Sequence, residues 1–120
     1  MRTVYLPPNV RMLSRARQQS IRKRLQKLAG DLESEASVLD DEIMKSMEQM
    51  DYLQSKASLA SSPALKEKFR MQLEIVRAKK ESDYAESCEL KSDIVTLNYY
   101  LEELDVMLGS STVAAVDLPE

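Results

Sequence analysis

The residues best suited to chemistry in this chain are cations, and eight of its 17 lysines and arginines lie in the first 27 positions, where no acidic residue occurs. The basic side chains of this stretch are Arg2, Arg11, Arg15, Arg17, Arg22, Lys23, Arg24 and Lys27. Apolar residues lie between them, and apolar anchors surrounded by arginine are typical of protein-binding surfaces. The pattern favours a docking surface for an acidic partner segment. The predicted partner contacts are Val10, Arg11, Leu13, Arg15, Arg17 and Ile21.

Two other interpretations of the basic stretch stay open. It can be an ordinary solvated helix face, or the cluster Arg22-Lys23-Arg24 can serve nuclear import or bind nucleic acid. Residues 10–27 offer no aromatic side chain to stack on bases, and the whole chain carries a net charge of −3. Nucleic acid is therefore the less favoured partner, and it would require an affinity that falls steeply with salt.

Catalytic chemistry is poorly supported by the composition. The chain has no histidine, two glycines and a single cysteine, Cys88. Without histidine, the common nucleophile–base pairs and the commonest metal ligand are missing. One cysteine cannot build the usual zinc site, and two isolated glycines do not form a phosphate-binding loop. We expect a protein that is not an enzyme, with no cofactor, no metal and no small-molecule substrate.

The remaining composition indicates long helices in a soluble intracellular protein. The chain has no tryptophan and one phenylalanine, while 31% of its residues are charged. Such a mixture suits a helical seam better than a deep globular core. We find no apolar run near the roughly 20 residues that a membrane span needs, and no secretory signal. The lone cysteine fits a reducing compartment.

The apolar residues predict two helices with a break between them. The first starts at Val10 with Asn9 as its N-cap, and its apolar residues step by three or four positions with local phase slips. The break falls at Ser61-Ser62-Pro63, where Ser62 can cap and Pro63 suits the first position of a second helix. Gly109 is predicted to end that helix. The resulting division is an extended arm at 1–9, a coiled-coil dimerisation and partner-binding region at 10–109, and a flexible tail or linker at 110–120.

The predicted seam between the helices consists of leucine and isoleucine at coiled-coil spacing. Its residues are Leu25, Leu28, Leu32, Leu39, Ile94, Leu97, Leu101, Leu104 and Leu108. Met47 is expected to join them, and Cys88 is expected to be a small buried residue on the same seam. In a hairpin, the basic stretch lies beside the acidic residues at 102–105, and this charge match favours the hairpin over a continuous parallel rod.

A second copy of the chain is expected in either arrangement. A thin two-helix hairpin leaves a second apolar flank uncovered, and exposed apolar surface of this kind is unfavourable in water. The residues of this flank are Met44, Leu59, Met71, Ile75, Val95 and Tyr99. The predicted fold is therefore all-α, a coiled-coil helical hairpin that assembles as a homodimer.

Several motifs, taken in order, resemble those of one family. They are Asn9-Val10-Arg11-Met12-Leu13, Leu28-Ala29-Gly30-Asp31, Arg77-Ala78-Lys79-Lys80, Cys88-Glu89, the leucine-rich residues 97–108 and the Ser/Thr-rich, then acidic, residues 110–120. In this arrangement the chain resembles the N-terminal coiled coil of the centralspindlin Rho GTPase-activating subunit, the MgcRacGAP type. The motifs span most of the chain.

The resemblance implies a homodimer that binds the neck of a mitotic kinesin of the MKLP type through its N-terminal segment. Such complexes bundle antiparallel microtubules at the central spindle and support cytokinesis, which implies a place in the cytoskeleton, at the spindle midzone and midbody. The domain responsible for GTPase activation in that family lies outside these residues. The alternatives are a helical chaperone or adaptor for another coiled-coil protein and, less favoured, a basic nucleic-acid-binding dimer.

Overall fold

The chain folds into two long α-helices that turn back on each other. A computed structural model describes Leu6 and residues 9–117, with side chains up to residue 109. A short 3-10 helix (Val10–Met12) precedes α1 (Arg15–Leu59), and α2 (Pro63–Asp117) follows after a turn at residues 60–62. The described residues contain no strand. The prediction of an all-α hairpin is confirmed, and the chain does not form the continuous rod.

The turn between the helices forms as its sequence predicts. Pro63 is the first residue of α2, where its missing N–H costs nothing and its fixed φ suits a helix. The Oγ of Ser62 accepts a hydrogen bond from the N–H of Leu65 at 3.1 Å. The Ser62 carbonyl accepts another from the N–H of Lys66, also at 3.1 Å. Ser62 therefore caps α2 and fixes the place where the chain reverses.

The start of α1 differs from the prediction. After the 3-10 helix, Leu13 is extended (φ −75°, ψ 154°), and α1 begins only at Arg15. Ser14 acts as the N-cap, because its Oγ accepts a hydrogen bond from the N–H of Arg17 at 3.3 Å. Asn9 makes no capping bond with its side chain. Asn9 does precede a helix at Val10, but that helix is a short 3-10 helix, and the prediction that Asn9 caps the long first helix was wrong.

Burial along α1 follows a strict seven-residue repeat. Two interleaved series of buried or half-buried residues run along the helix: Gln18, Leu25, Leu32, Leu39, Ser46 and Leu53, and Arg22, Ala29, Ala36, Ile43, Met50 and Ala57. This repeat is the signature of a left-handed coiled coil. The phase slips expected from the apolar residues do not occur. Met47, which was predicted on the seam, is 50% exposed, and the adjacent Ser46 takes the seam position.

The same repeat continues along α2. Its two series are Phe69, Val76, Asp83, Leu90, Leu97 and Leu104, and Lys66, Leu73, Lys80, Ser87, Ile94, Leu101 and Leu108. The leucines and isoleucines predicted for the seam occupy positions of the repeats of α1 and α2, except Leu28, which is half-buried beside them against the core cluster. Cys88 is exposed, so the expectation that it is buried was wrong; Ser87, 2% exposed, holds the seam position beside it.

The ends of the chain are covered only in part by the structure. α2 continues past Gly109 to Asp117, and no described glycine has a positive φ. The prediction that Gly109 ends the helix was therefore wrong, and residues 110–117 of the predicted tail are helical. Of the predicted arm, Leu6 and Asn9 are described, and the rest lies outside the described residues.

Contacts divide the chain into two compact units, of which the first contains residues 1–34 and 90–120. Its core is apolar, and Leu32, Leu97 and Leu104 are completely buried. Val10, Leu25 and Ala29 join them, and partly buried residues such as Tyr100 and Met107 pack around this cluster. Since burying a leucine side chain contributes about 1.5–3 kcal/mol, these contacts are the main stabilisation of the unit.

The second unit, residues 35–89, has a more polar seam. Its buried residues include Ser46 and Ser87, and the Oγ of Ser87 donates a hydrogen bond to Asp40 Oδ1 at 2.9 Å. Lys79 Nζ contacts Asp83 Oδ2 at 2.7 Å and Glu42 Oε2 at 3.3 Å. These two carboxylates, Asp83 first, raise the pKa of Lys79 above its ordinary value. The contact with Glu42 ties α1 to α2 within this unit.

Candidate protein-binding surfaces

The first candidate site is the exposed basic surface at the start of α1, which we define as Arg11, Met12, Arg15 and Arg17. The 3-10 helix supplies Arg11 and Met12, and the first turn of α1 supplies the other two arginines. The extended Leu13 separates these elements, so the four residues do not follow one helical repeat. Met12 is 87% exposed, the most exposed large apolar side chain described.

Gln18 holds the 3-10 helix in place beneath this surface. Its side chain is 7% exposed, and its Nε2 donates a hydrogen bond to the carbonyl of Val10 at 2.9 Å. The same Nε2 lies 3.8 Å from the sulfur of Met107 on α2. One buried amide therefore joins three segments of the first unit. The sequence pattern did not reveal this residue, because a glutamine at a seam position carries no apolar signal.

Ion pairs in the first unit follow the predicted charge match. Arg11 contacts Glu103 at 3.4 Å, and Arg22 Nε contacts Asp105 Oδ1 at 2.5 Å. The expectation that the basic stretch lies beside these two acidic residues is confirmed. Because the pairs are largely exposed, each is worth under about 1 kcal/mol, so they align the helices more than they stabilise them.

The predicted partner contacts fall into two groups in the structure. Arg11, Arg15 and Arg17 are exposed, whereas Val10 is 6% exposed and belongs to the core. Leu13 and Ile21 are half-buried against the same cluster. In the folded hairpin these three apolar side chains already pack within the chain, and their contact with a partner stays a prediction. Met12 is the exposed apolar residue among these arginines that is available to contact a partner.

The electrostatics of the basic surface are unusual for a helix start. The first turn of α1 contains no acidic residue, while Arg15 and Arg17 both lie there. The N-terminus of a helix carries a partial positive charge, so cations at this end are disfavoured by about 0.3–1 kcal/mol each. A carboxylate brought by a partner would interact favourably with the arginines and with the helix terminus together.

The second candidate surface is the solvent-facing side of α2, which we call the outer stripe. In the second unit it consists of Met71, Ala78 and Ala85, all exposed, with the exposed Ile75 and Cys88 beside them. In the first unit the same seven-residue repeat places Ser92, Tyr99 and Val106 on the outside, all exposed, with Val95 beside them. No charged residue occurs at these outward positions of the repeat. The corresponding outward series on α1 is polar: Ser20, Lys27, Ser34, Asp41, Glu48 and Ser55.

The residues predicted to form an uncovered apolar flank are indeed exposed. Met44 and Met71 are each 61% exposed, and Leu59 is 82% exposed. Ile75, Val95 and Tyr99 are exposed by 56–70%. Met44 and Leu59 lie on α1 and the other four residues on α2, so they do not form a series along one helix face, and single exposed apolar residues are ordinary on a protein surface.

The described part of the chain shows neither a metal-binding group nor a helix that could cross a membrane. There, no group of three or more Cys, Asp or Glu side chains is arranged to hold a metal ion. None of the helices described is long and apolar enough to cross a membrane. An open depression beside the turn is lined by Gln54, Ala57, Ser58, Lys66, Arg70 and Leu73.

Fold and surfaces together define an antiparallel coiled-coil hairpin with one basic and one apolar outer surface. Comparison with protein-family models, curated proteins and solved structures finds no match for this chain.

Proposed function

We propose that this chain is a non-enzymatic interaction module that works as a homodimer and binds an acidic partner segment through its basic surface. The observation that carries the proposal is the exposure of Met12 among Arg11, Arg15 and Arg17 at a helix start with no acidic residue. A sequence feature that is locally unfavourable is often retained for function. Here a partner carboxylate would remove the unfavourable interaction.

The resemblance of the sequence motifs supplies the specific form of this proposal. The partner is then the neck of a mitotic kinesin of the MKLP type, and the module supports microtubule bundling at the central spindle and cytokinesis. Its location is the cytoskeleton, at the spindle midzone and midbody. Any GTPase activation belongs to a domain outside these residues.

The variant that tests this proposal is Arg15→Glu combined with Arg17→Glu, titrated calorimetrically with a purified MKLP-type kinesin neck segment. We expect the affinity to fall at least tenfold, because two attractions become repulsions at the contact. Helicity should stay, since glutamate in the first turn of a helix interacts favourably with the helix dipole. Circular dichroism checks that point.

The matched control is Lys45→Glu combined with Lys56→Glu, which makes the same charge change at exposed positions of α1 outside the basic surface. The control should bind the neck segment like the natural chain. An equal loss of affinity in both variants would mean that the net charge of the chain, and not the basic surface, determines binding. No binding by the natural chain would remove the kinesin partner.

A helical adaptor for another coiled-coil protein is the second candidate, favoured by the exposed apolar residues of the second unit. The adaptor stays monomeric until a foreign helix covers these residues, whereas the leading proposal requires a dimer of the purified chain. Light scattering at several concentrations distinguishes the two.

A further inference from the structure

Four cations on the outward side of α1 surround a single serine. Arg17, Lys23, Arg24 and Lys27 are all exposed, and we call them the cationic face. Ser20, which is also exposed, lies three residues after the first of them and three, four and seven residues before the others. At 3.6 residues per turn, all four lie within about 60° of Ser20 around the helix axis. The hydroxyl of this serine is therefore at the centre of the cationic face.

The cationic face has no carboxylate to balance its charge. The first acidic residue of the chain is Asp31, and the ion pairs from α2 to the basic stretch involve Arg11 and Arg22 instead. Within the described residues, none of the four cations of this face forms an ion pair. Since like charges three or four residues apart destabilise a helix, a negative group at Ser20 would remove a local repulsion.

The other serine of the basic stretch, Ser14, differs from Ser20 in its contacts. The Oγ of Ser14 accepts the N–H of Arg17 at 3.3 Å, and Arg11, three residues before it, contacts Glu103 at 3.4 Å. The side chain of Ser20 makes no hydrogen bond to a described residue. Arg17 lies three residues before Ser20, and many protein kinases select their substrates by a basic residue at this spacing. Ser20 is thus the serine whose hydroxyl and surroundings suit a phosphoryl group.

We propose that Ser20 is a phosphorylation site and that its phosphate regulates the basic surface. A protein kinase transfers the γ-phosphoryl group of ATP to the Oγ of Ser20. An oxygen–phosphorus bond forms, the bond from the γ-phosphorus to the ADP oxygen breaks, and the hydroxyl proton passes to the catalytic base of the kinase. The phosphate carries a charge of about −1.5 to −2 and three acceptor oxygens. Arg17, Lys23 and Arg24, one turn away, can donate charge-assisted hydrogen bonds to it.

The position of Ser20 near the start of α1 makes this transfer feasible. The helix begins at Arg15, so Ser20 lies within its first two turns. Protein kinases bind their substrates in an extended conformation, so these turns must open for the transfer, and helix ends open more easily than helix interiors. After the transfer, attraction to Lys23 and Arg24 one turn further along favours the helix again.

Arg17 connects the phosphate to partner binding, because this residue belongs both to the cationic face and to the basic surface. A phosphate on Ser20 engages Arg17 and places negative charge beside the surface that binds an acidic partner, so the partner is repelled. This regulatory effect rests on the proposed function. The modification itself and its effect on stability do not.

Phosphorylation of the full chain in vitro tests the site. The probe is the catalytic subunit of cAMP-dependent protein kinase with ATP, and mass spectrometry locates the phosphate. We expect phosphate on Ser20, at a rate that Arg17→Gln lowers at least about tenfold. Lys56→Gln, at an exposed position of α1 in the second unit, should leave the rate unchanged. Phosphate on Ser14 instead, or none on Ser20, overturns the assignment.

A chain with phosphoserine installed by genetic code expansion tests the cationic face without any kinase. For Ser20→phosphoserine we expect the Tm, measured by circular dichroism, to rise by about 2–6 °C at low salt. The rise should vanish in about 1 M salt, where charges are screened within about 3 Å. Ser34→phosphoserine is the matched control, because Ser34 is exposed in the same outward series but follows Asp31 by three residues. No rise at Ser20, or an equal rise at Ser34, overturns the role of the cationic face.

Titration with the MKLP-type kinesin neck segment separates this proposal from the proposed function. Ser20→phosphoserine should lower the affinity of the full chain about three- to tenfold. Equal binding by the phosphorylated and natural chains overturns the regulation and leaves the proposed function intact. If the natural chain does not bind the segment, the proposed function fails, and the kinase and melting experiments still decide whether Ser20 is the site.

Discussion

At the scale of single residues, the stability of the hairpin depends on a few completely buried leucines. Leu32, Leu97 and Leu104 have no exposed surface, whereas most apolar side chains of the chain are only partly covered. A two-helix structure buries each side chain against few neighbours, so the few that are fully enclosed contribute most. Their removal leaves a cavity that two helices can close only in part.

We expect Leu32→Ala to lower the free energy of unfolding by about 2–4 kcal/mol, because it removes a completely buried side chain. Urea denaturation at fixed protein concentration measures this change. Leu59→Ala makes the same substitution at a residue that is 82% exposed, and it should change the stability by less than about 0.5 kcal/mol. Similar losses for both variants would show that Leu32 is not part of a packed core.

The hydrogen bond between Ser87 and Asp40 is the second feature that single substitutions can test. Ser87→Ala removes a buried donor to a carboxylate, and we expect a loss of about 1–2 kcal/mol in the free energy of unfolding. Ser82→Ala, at an exposed position of the same helix and unit, is the control and should have little effect. A stabilised Ser87→Ala variant would mean that the polar seam costs stability, and that its hydrogen bond does not offset this cost.

At the scale of the elements, the sequence predicts both helices and the turn well, because the physical signals are strong. Proline can stand at the first position of a helix but not in its interior, so Ser61-Ser62-Pro63 marks the reversal. Leucine spacing along residues 94–108 and the opposite charges of the two chain ends then predict which segments meet. The ion pair between Arg22 and Asp105 joins the two segments that these signals predict to lie side by side.

Other parts of the elements could not be predicted, since their signals are weak or ambiguous. Ser46 and Ser87 occupy seam positions without any apolar character, so the true register was hidden and Met47 and Cys88 were assigned in their place. Gly109 did not end α2, because one glycine costs only about 1 kcal/mol inside a helix.

In the basic surface, the sequence predicted the arginines but not the orientation of the apolar residues between them. The arginines were identified from their density in the sequence, and Arg11, Arg15 and Arg17 are exposed. The inward orientation of Val10 and the outward orientation of Met12 were not predicted, because both residues lie in a short 3-10 helix that the extended Leu13 separates from α1. Irregular backbone at a helix start removes the periodicity on which such predictions depend.

The cap of α2 gives a prediction at this scale. Ser62→Ala removes the oxygen that accepts the N–H of Leu65, and we expect a loss of about 1 kcal/mol in the free energy of unfolding. Ser61→Ala alters the neighbouring exposed serine and should leave the stability nearly unchanged. Thermal unfolding followed by circular dichroism measures both. Equal effects would indicate that the turn is held by Pro63 alone.

At the scale of the whole molecule, each unit has its own balance of apolar and polar contacts. The first unit encloses its large leucines and carries the basic surface on its N-terminal segment. The second unit has a seam with two buried serines and exposes most of the large apolar side chains of its helices, such as Met44, Met71 and Ile75. The basic surface and these exposed apolar residues therefore lie in different units, so separate substitutions can alter each of them.

The central claim is that this chain is an interaction module that acts as a homodimer, and the most direct test is the mass of the purified chain in solution. Sedimentation equilibrium over a wide range of concentrations measures that mass without any label or substitution. We predict twice the 13.7 kDa of one chain. A mass of 13.7 kDa at every concentration would contradict the claim, because the exposed apolar residues of the second unit would then not be covered by another copy.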